Sequence, residues 1–224
     1  MEDRKLFTCT GRFQERDFLF LTSVVADRGD EEAFRRYVTD HEELYGILDD
    51  RRVLSALLES PSLVDVSAWC YFYILVRHSL LGSGLDDVSL AEYLGVVLAE
   101  RLPLGGGGAV GGVPVWMLHS FDFLQILDQA TGRTRFDLLV AGGNQFLVLT
   151  GVFRDFIERR SERRGAPGLD FYENMARASY SEAQEHPLAV RGGIKGVLGT
   201  LTEVLPETRR SLNRMADSLM FLAS

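Results

Sequence analysis

Apolar positions recur along the chain mostly at the three- and four-residue spacing of helices, and strict alternation of the kind strands require is scarce. Phe13, Phe18, Leu19, Leu21, Val24 and Val25 predict a first amphipathic helix over 12–26, with Gly29 placed to end it. An acidic turn, Glu31-Glu32, opens a second helix towards Val38. His41 to Leu48 continues helically, and Val53, Leu54, Leu57 and Leu58 mark a short helix after Asp49 or Asp50. The pattern then changes. From 61 to 81 the chain is apolar on every face, so the helix it predicts must be enclosed, because a surface helix keeps a polar side. Its uncharged run between Asp65 and Arg77 is about half of the roughly 20 residues a bilayer crossing needs, which favours a protein core. Ser60 is placed to cap this helix, Pro61 to start it, and Gly82-Ser83-Gly84 to end it.

Ser89-Leu90-Ala91-Glu92 has the capping-box form and opens a helix to about Leu102. The glycine-rich stretch 103–113 reads as a linker, where a two-lobe split falls if the chain divides. Val115 to Leu127 predicts a further apolar helix ending near Gly132. The segment 136–151 reads as helix, with a hairpin turning at Gly142-Gly143 as its rival. Helices over 152–164, from a second capping box at Asp170-Phe171-Tyr172-Glu173 to Glu185, from Pro187 through the glycines at 192, 193, 196 and 199, and from Pro206 onward complete the reading. The expected fold is all-α: one domain over 1–224, a bundle of about nine or ten helices around the apolar helix at 61–81.

Composition narrows the partners. The chain has 224 residues, 46% hydrophobic and 25% charged, and a net charge of -8. That charge opposes non-specific attraction to nucleic acid and to anionic membranes, so neither is expected as a partner. Cys9 and Cys70 make no disulfide framework or zinc spacing, and no apolar run follows the charges of Met1-Glu2-Asp3-Arg4-Lys5. A cytoplasmic location is the expectation.

Motifs for chemistry fail on context. Gly106, Gly108 and Gly111 fit G-x-G-x-x-G, but a helix precedes them and Pro114 follows, where a dinucleotide turn needs a strand before and a helix after. Glu182 and His186 lie four apart, and His41 adjoins Glu42 and Glu43. Bundle metal centres need several inward Glu-x-x-His pairs, and none occurs. Cys70 sits amid aromatics, as an inert core thiol does, and there is no G-x-S-x-G or H-E-x-x-H. No catalytic residue, metal site or cofactor is therefore assigned.

Two constellations remain. Trp69, Tyr71 and Tyr73, with His78 and His119 in apolar helices, are candidate lining for a small apolar ligand, since buried Tyr and Trp tips need polar partners. Ordinary core packing is the plainer account. Arg154, Arg159, Arg160, Arg163 and Arg164 are candidate contacts for a protein partner, although Asp155, Glu158 and Glu162 dilute their charge and a solvated face also fits.

Leu149-Thr150-Gly151-Val152-Phe153, Glu158-Arg159-Arg160, Arg164-Gly165-Ala166-Pro167 and Phe171-Tyr172-Glu173-Asn174-Met175-Ala176 resemble a group of uncharacterised bacterial all-helical proteins. The resemblance implies a bacterial cytoplasmic origin and carries no activity, ligand or catalytic residue. The expected role is a non-enzymatic interaction protein, self-associating or a subunit or adaptor of a larger assembly. The alternatives are a helical protein binding a small apolar ligand beside 69–73 and, more weakly, a metal-dependent helical-bundle enzyme.

Overall fold

The computed structural model describes residues 8–25, 32, 40–59, 66–102 and 120–219. Among them, every regular element is helical. A short 3₁₀ turn, Thr10–Arg12, precedes twelve α-helices: α1 Glu15–Val25, α2 His41–Leu48, α3 Arg51–Glu59, α4 Ala68–Leu81, α5 Val88–Arg101, α6 Ser120–Gln129, α7 Gly132–Val152, α8 Arg154–Arg164, α9 Leu169–Glu185, α10 Pro187–Arg191, α11 Lys195–Glu203 and α12 Leu205–Ser218. Twelve exceeds the expected nine or ten, and one division among them was not expected. Gly192 and Gly193, the latter at φ +68, separate α10 from α11, which the periodicity ran together. The described residues fall into two compact units, 8–102 and 120–219. The expected linker at 103–113 and the expected caps at Ser60, Pro61 and Gly29 lie outside the described residues.

In the unit 8–102, α4 packs along α5. Residues 70–77 are all buried, as the sequence pattern required, but the helix starts at Ala68 and not at 61. Ser67 is its cap: the hydroxyl accepts from Cys70 N at 3.2 Å and donates to Asp17 Oδ2 at 2.7 Å. Asp17 is itself fully buried and also accepts from Ser67 N and Gln14 N. This carboxylate fastens the start of α1 to the start of α4. The expected capping box on α5 is also replaced. Asp87 caps the helix by accepting from Leu90 N, Ser89 is exposed, and Glu92 turns inward.

In the unit 120–219, α7 packs on α9 and α12, and α9 on α11. Residues 136–151 are continuous helix; the hairpin does not form. Gly142 and Gly143 are contact points inside α7, where a Cβ would meet the Phe123 and Tyr180 rings at 2.4 and 2.7 Å. The buried end of α7 leaves carbonyls without intrahelical donors. Asn213 Nδ2 meets two of them, Thr150 O and Gly151 O, each at 2.8 Å. The second capping box fails as the first did. α9 starts after Gly168, and Glu173 pairs across to Arg209.

Candidate functional site

The polar groups buried in the unit 8–102 form knots that hold the fold. Glu92 accepts from Cys9 N, Thr10 N, Thr10 Oγ1 and Tyr45 Oη, so one carboxylate anchors the 3₁₀ turn and α2 on α5. Arg77, buried on α4, is gripped by Asp49 at 2.7 and 2.8 Å and by Asp86 at 2.6 Å. These attachments push its pKa further up. Two polar atoms are left over. Tyr73 Oη and Arg77 Nη1, one helical turn apart, are buried and have no hydrogen-bond partner.

Trp69 and Tyr73 lie one turn apart on one face of α4, and Tyr71 lies on the other. Tyr73 faces Phe13 and Tyr45, with ring centroids 6.3 and 6.2 Å away. Trp69, one turn earlier, lies under the Arg12 guanidinium, 4.3 Å from the ring centroid. Tyr71 is two residues from each, about 200° around the helix, and stacks edge-on against Phe72. Burial raises the pKa of both tyrosines, so their phenols stay neutral. His78 Nε2 lies 3.0 Å from Leu48 O. Its pKa is lowered, first by burial. His119 lies outside the described residues. Cys9 and Cys70 are fully buried, and burial pushes both thiols up, away from the thiolate a nucleophile needs. Glu182 pairs with Arg135, not with His186, which caps α10 through Nδ1 and stacks on Phe136. Among the described residues no three His, Cys, Asp or Glu side chains are grouped as a metal site.

The five arginine candidates all lie on α8, which leaves α7 at an angle of 88°. Ile157 turns inward and Phe156 stays 42% exposed. Helical turning of about 100° per residue sorts the charges that are mixed in sequence. Arg159, Arg163 and Phe156 fall on one flank, within about 60° of one another, with Arg160 and Arg164 continuing beyond Phe156. Asp155, Glu158 and Glu162 fall on the adjoining flank, again within about 60° of one another, Asp155 lying about 40° from Arg159. Arg154 stands apart, within 3.5 to 3.8 Å of Asp155, Glu158 and Asp217. Arg159 Nε donates to its own helix at Asp155 O, 3.1 Å away. Among the described residues no carboxylate pairs with Arg160, Arg163 or Arg164. The result is a basic flank beside an exposed aromatic ring, with Arg160 half-buried and its Nε enclosed without a hydrogen-bond partner.

No protein-family model matches this chain, and neither the curated proteins nor the solved structures contain a match to it. The chemistry of the face is therefore read from its side chains. Guanidiniums grip carboxylates in planar, two-pronged pairs, and a ring among them adds apolar contact; arginine and aromatic residues are both enriched at protein interfaces. Among the described residues no single helix is long and apolar enough to cross a membrane; α7 and α8 meet that measure only as a pair, across their sharp bend.

Proposed function

We propose that this chain is a non-enzymatic helical interaction protein, a self-associating subunit or adaptor of a bacterial cytoplasmic assembly, that meets protein partners through α8. The observation that carries the reading is the placement of Arg159 and Arg163 on one exposed flank of α8 with Phe156, with the acids of the same helix on the other flank. A chain of net charge -8 repels nucleic acid overall, so a local basic face suits an acidic protein surface better.

Binding of a fluorescent polyglutamate peptide, followed by anisotropy, tests the face. Arg159→Glu with Arg163→Glu is expected to weaken binding by about tenfold or more, the loss of roughly 1.4 kcal/mol of ion pairing. Arg191→Glu, exposed on α10, serves as the control and is expected to leave binding within about twofold, because it removes charge of the same sign elsewhere. Equal losses in both variants would make the attraction one of overall charge and remove α8 from the account.

A second reading, a small ligand beside Tyr73, draws support from the two unpartnered buried atoms, Tyr73 Oη and Arg77 Nη1. Such a ligand would be polar at that end, in contrast to the apolar one expected. Native mass spectrometry that finds only the mass of the bare chain removes it.

A further inference from the structure

We propose that the partner α8 is built to meet is α8 of a second copy of this chain, the two helices running parallel about a twofold axis along their length. The proposal rests on α8 being a recognition surface and adds to it the identity and orientation of the occupant. Its basis is the division of one exposed face into a basic flank, Arg159 and Arg163 with Phe156, and an acidic flank, Asp155, Glu158 and Glu162. Symmetry then selects the arrangement. A twofold axis parallel to the helices sets the left flank of one copy against the right flank of the other, so basic meets acidic. A twofold axis perpendicular to them, which makes the pair antiparallel, sets like against like and places arginines opposite arginines. Like charges across an interface are strongly disfavoured.

In the parallel pair, residues of similar number lie at similar height. Arg163 is level with Glu162 of the second copy, and Arg159 lies between the heights of Asp155 and Glu162 of the second copy. Each is within the reach of a guanidinium, given a rise of about 1.5 Å per residue. Phe156 comes beside the aliphatic stem of Glu158 of the second copy. The Arg154–Glu158 contact within each chain, at 3.8 Å, is long enough to yield to this exchange. Both copies carry a net charge of -8, and an eleven-residue face is small, so a weak dimer with a dissociation constant on the order of 100 µM is expected.

Sedimentation of the full chain over a range of concentrations, with three sets of variants, tests this. Reversing the basic flank (Arg159→Glu, Arg163→Glu) or the acidic flank (Glu158→Arg, Glu162→Arg) is expected to give monomers, and an equimolar mixture of the two is expected to associate again. Orientation is read by mild oxidation of Asp155→Cys, the acidic-flank position nearest the axis, the native Cys9 and Cys70 being fully buried. A parallel pair brings the two introduced thiols together and forms a disulfide-linked homodimer. Preferential cross-linking of Glu162→Cys with Asp155→Cys in a mixture would mean an antiparallel pair and overturn the proposal. So would a dimer indifferent to both reversals. A full chain that stays monomeric but still binds polyglutamate through Arg159 and Arg163 overturns self-pairing, and with it the self-association in the proposed function, and leaves α8 a recognition surface for another protein. Failure of polyglutamate binding as well removes both readings.

Discussion

Tyr73 and Tyr45 lie side by side, yet their hydroxyls stand in opposite positions energetically. The Tyr45 hydroxyl donates to Glu92 at 2.8 Å, whereas that of Tyr73 is buried without a partner. A hydrogen bond to a buried charge contributes about 1.5 to 3 kcal/mol, while an unpaired buried hydroxyl costs about 1 to 3 kcal/mol. Tyr45→Phe is therefore expected to lower the stability of the chain by about 1.5 kcal/mol, and Tyr73→Phe to leave it unchanged or raise it by about 1 kcal/mol, both read from urea midpoints. A clear loss in Tyr73→Phe would mean that the hydroxyl is satisfied after all. His78 supplies a pH dependence. Burial lowers its folded pKa below the unfolded value, so the unfolded chain binds the proton more readily. Its contribution is fully present above the ordinary histidine pKa of about 6.5 and is lost as pH falls below that, towards the folded value. The chain is expected to lose stability as pH falls below about 6.5, with a slope that His78→Gln makes shallower. An unchanged slope in that variant would put the dependence on other groups.

At the level of elements, what was legible in the sequence followed from local rules, and what was missed depended on partners distant along the chain. The enclosure of α4 could be read because a run without a polar face has one solution in water. Its starting point could not, since Ser60 and Ser67 are both acceptable caps and the choice falls to Asp17, 50 residues away. Glu92 misled for a related reason. Its spacing from Ser89 has the form of a capping box, but four donors from 8–12 and α2 draw the carboxylate inward. The charge flanks of α8 are present in the spacing and separate only when Arg154–Arg164 is wound at about 100° per residue. Glycines gave the reverse difficulty, because a pair that suits a hairpin turn also lets helices approach closely. Gly143→Ala places a methyl 2.7 Å from the Tyr180 ring, which is held by its hydrogen bond to Asn144 at 2.9 Å. Overpacking of about 1 to 3 kcal/mol outweighs the gain in helix propensity of up to about 1 kcal/mol, so a net loss is expected. Gly196→Ala meets nothing within 4 Å and is expected to gain about 0.5 kcal/mol. Thermal melts of the two variants check the opposite signs, and a stabilised Gly143→Ala would mean that α7 and α9 are less closely packed.

Across the whole molecule, burial is distributed unevenly, and local opening should follow it. Amides exchange slowly where helices are enclosed on all sides and quickly where a helix leans on the fold by one edge. In the unit 8–102, the enclosed stretches are 70–77 and 90–98; in the unit 120–219 they are 142–152 and the inward face of α9, with Tyr172, Ala176, Tyr180 and Ala183. At the other extreme, α8 buries Ile157 and little else, and α10 has five residues with Val190 63% exposed. Hydrogen exchange followed by mass spectrometry is therefore expected to find peptides from α4, α5 and α7 the last to exchange, with α8 and α10 among the first. The early exchange of α8 has a functional corollary. On the proposed reading, a helix whose one buried side chain is Ile157 has backbone opening to lose on binding, so polyglutamate, or a rise in chain concentration, should slow α8 while α10 keeps its rate. Protection appearing equally in α10 would point to general compaction instead of contact at Arg159 and Arg163. Protection confined to α8 would locate the contact without any substitution, and so without the risk that a reversed charge disturbs the fold it is meant to probe.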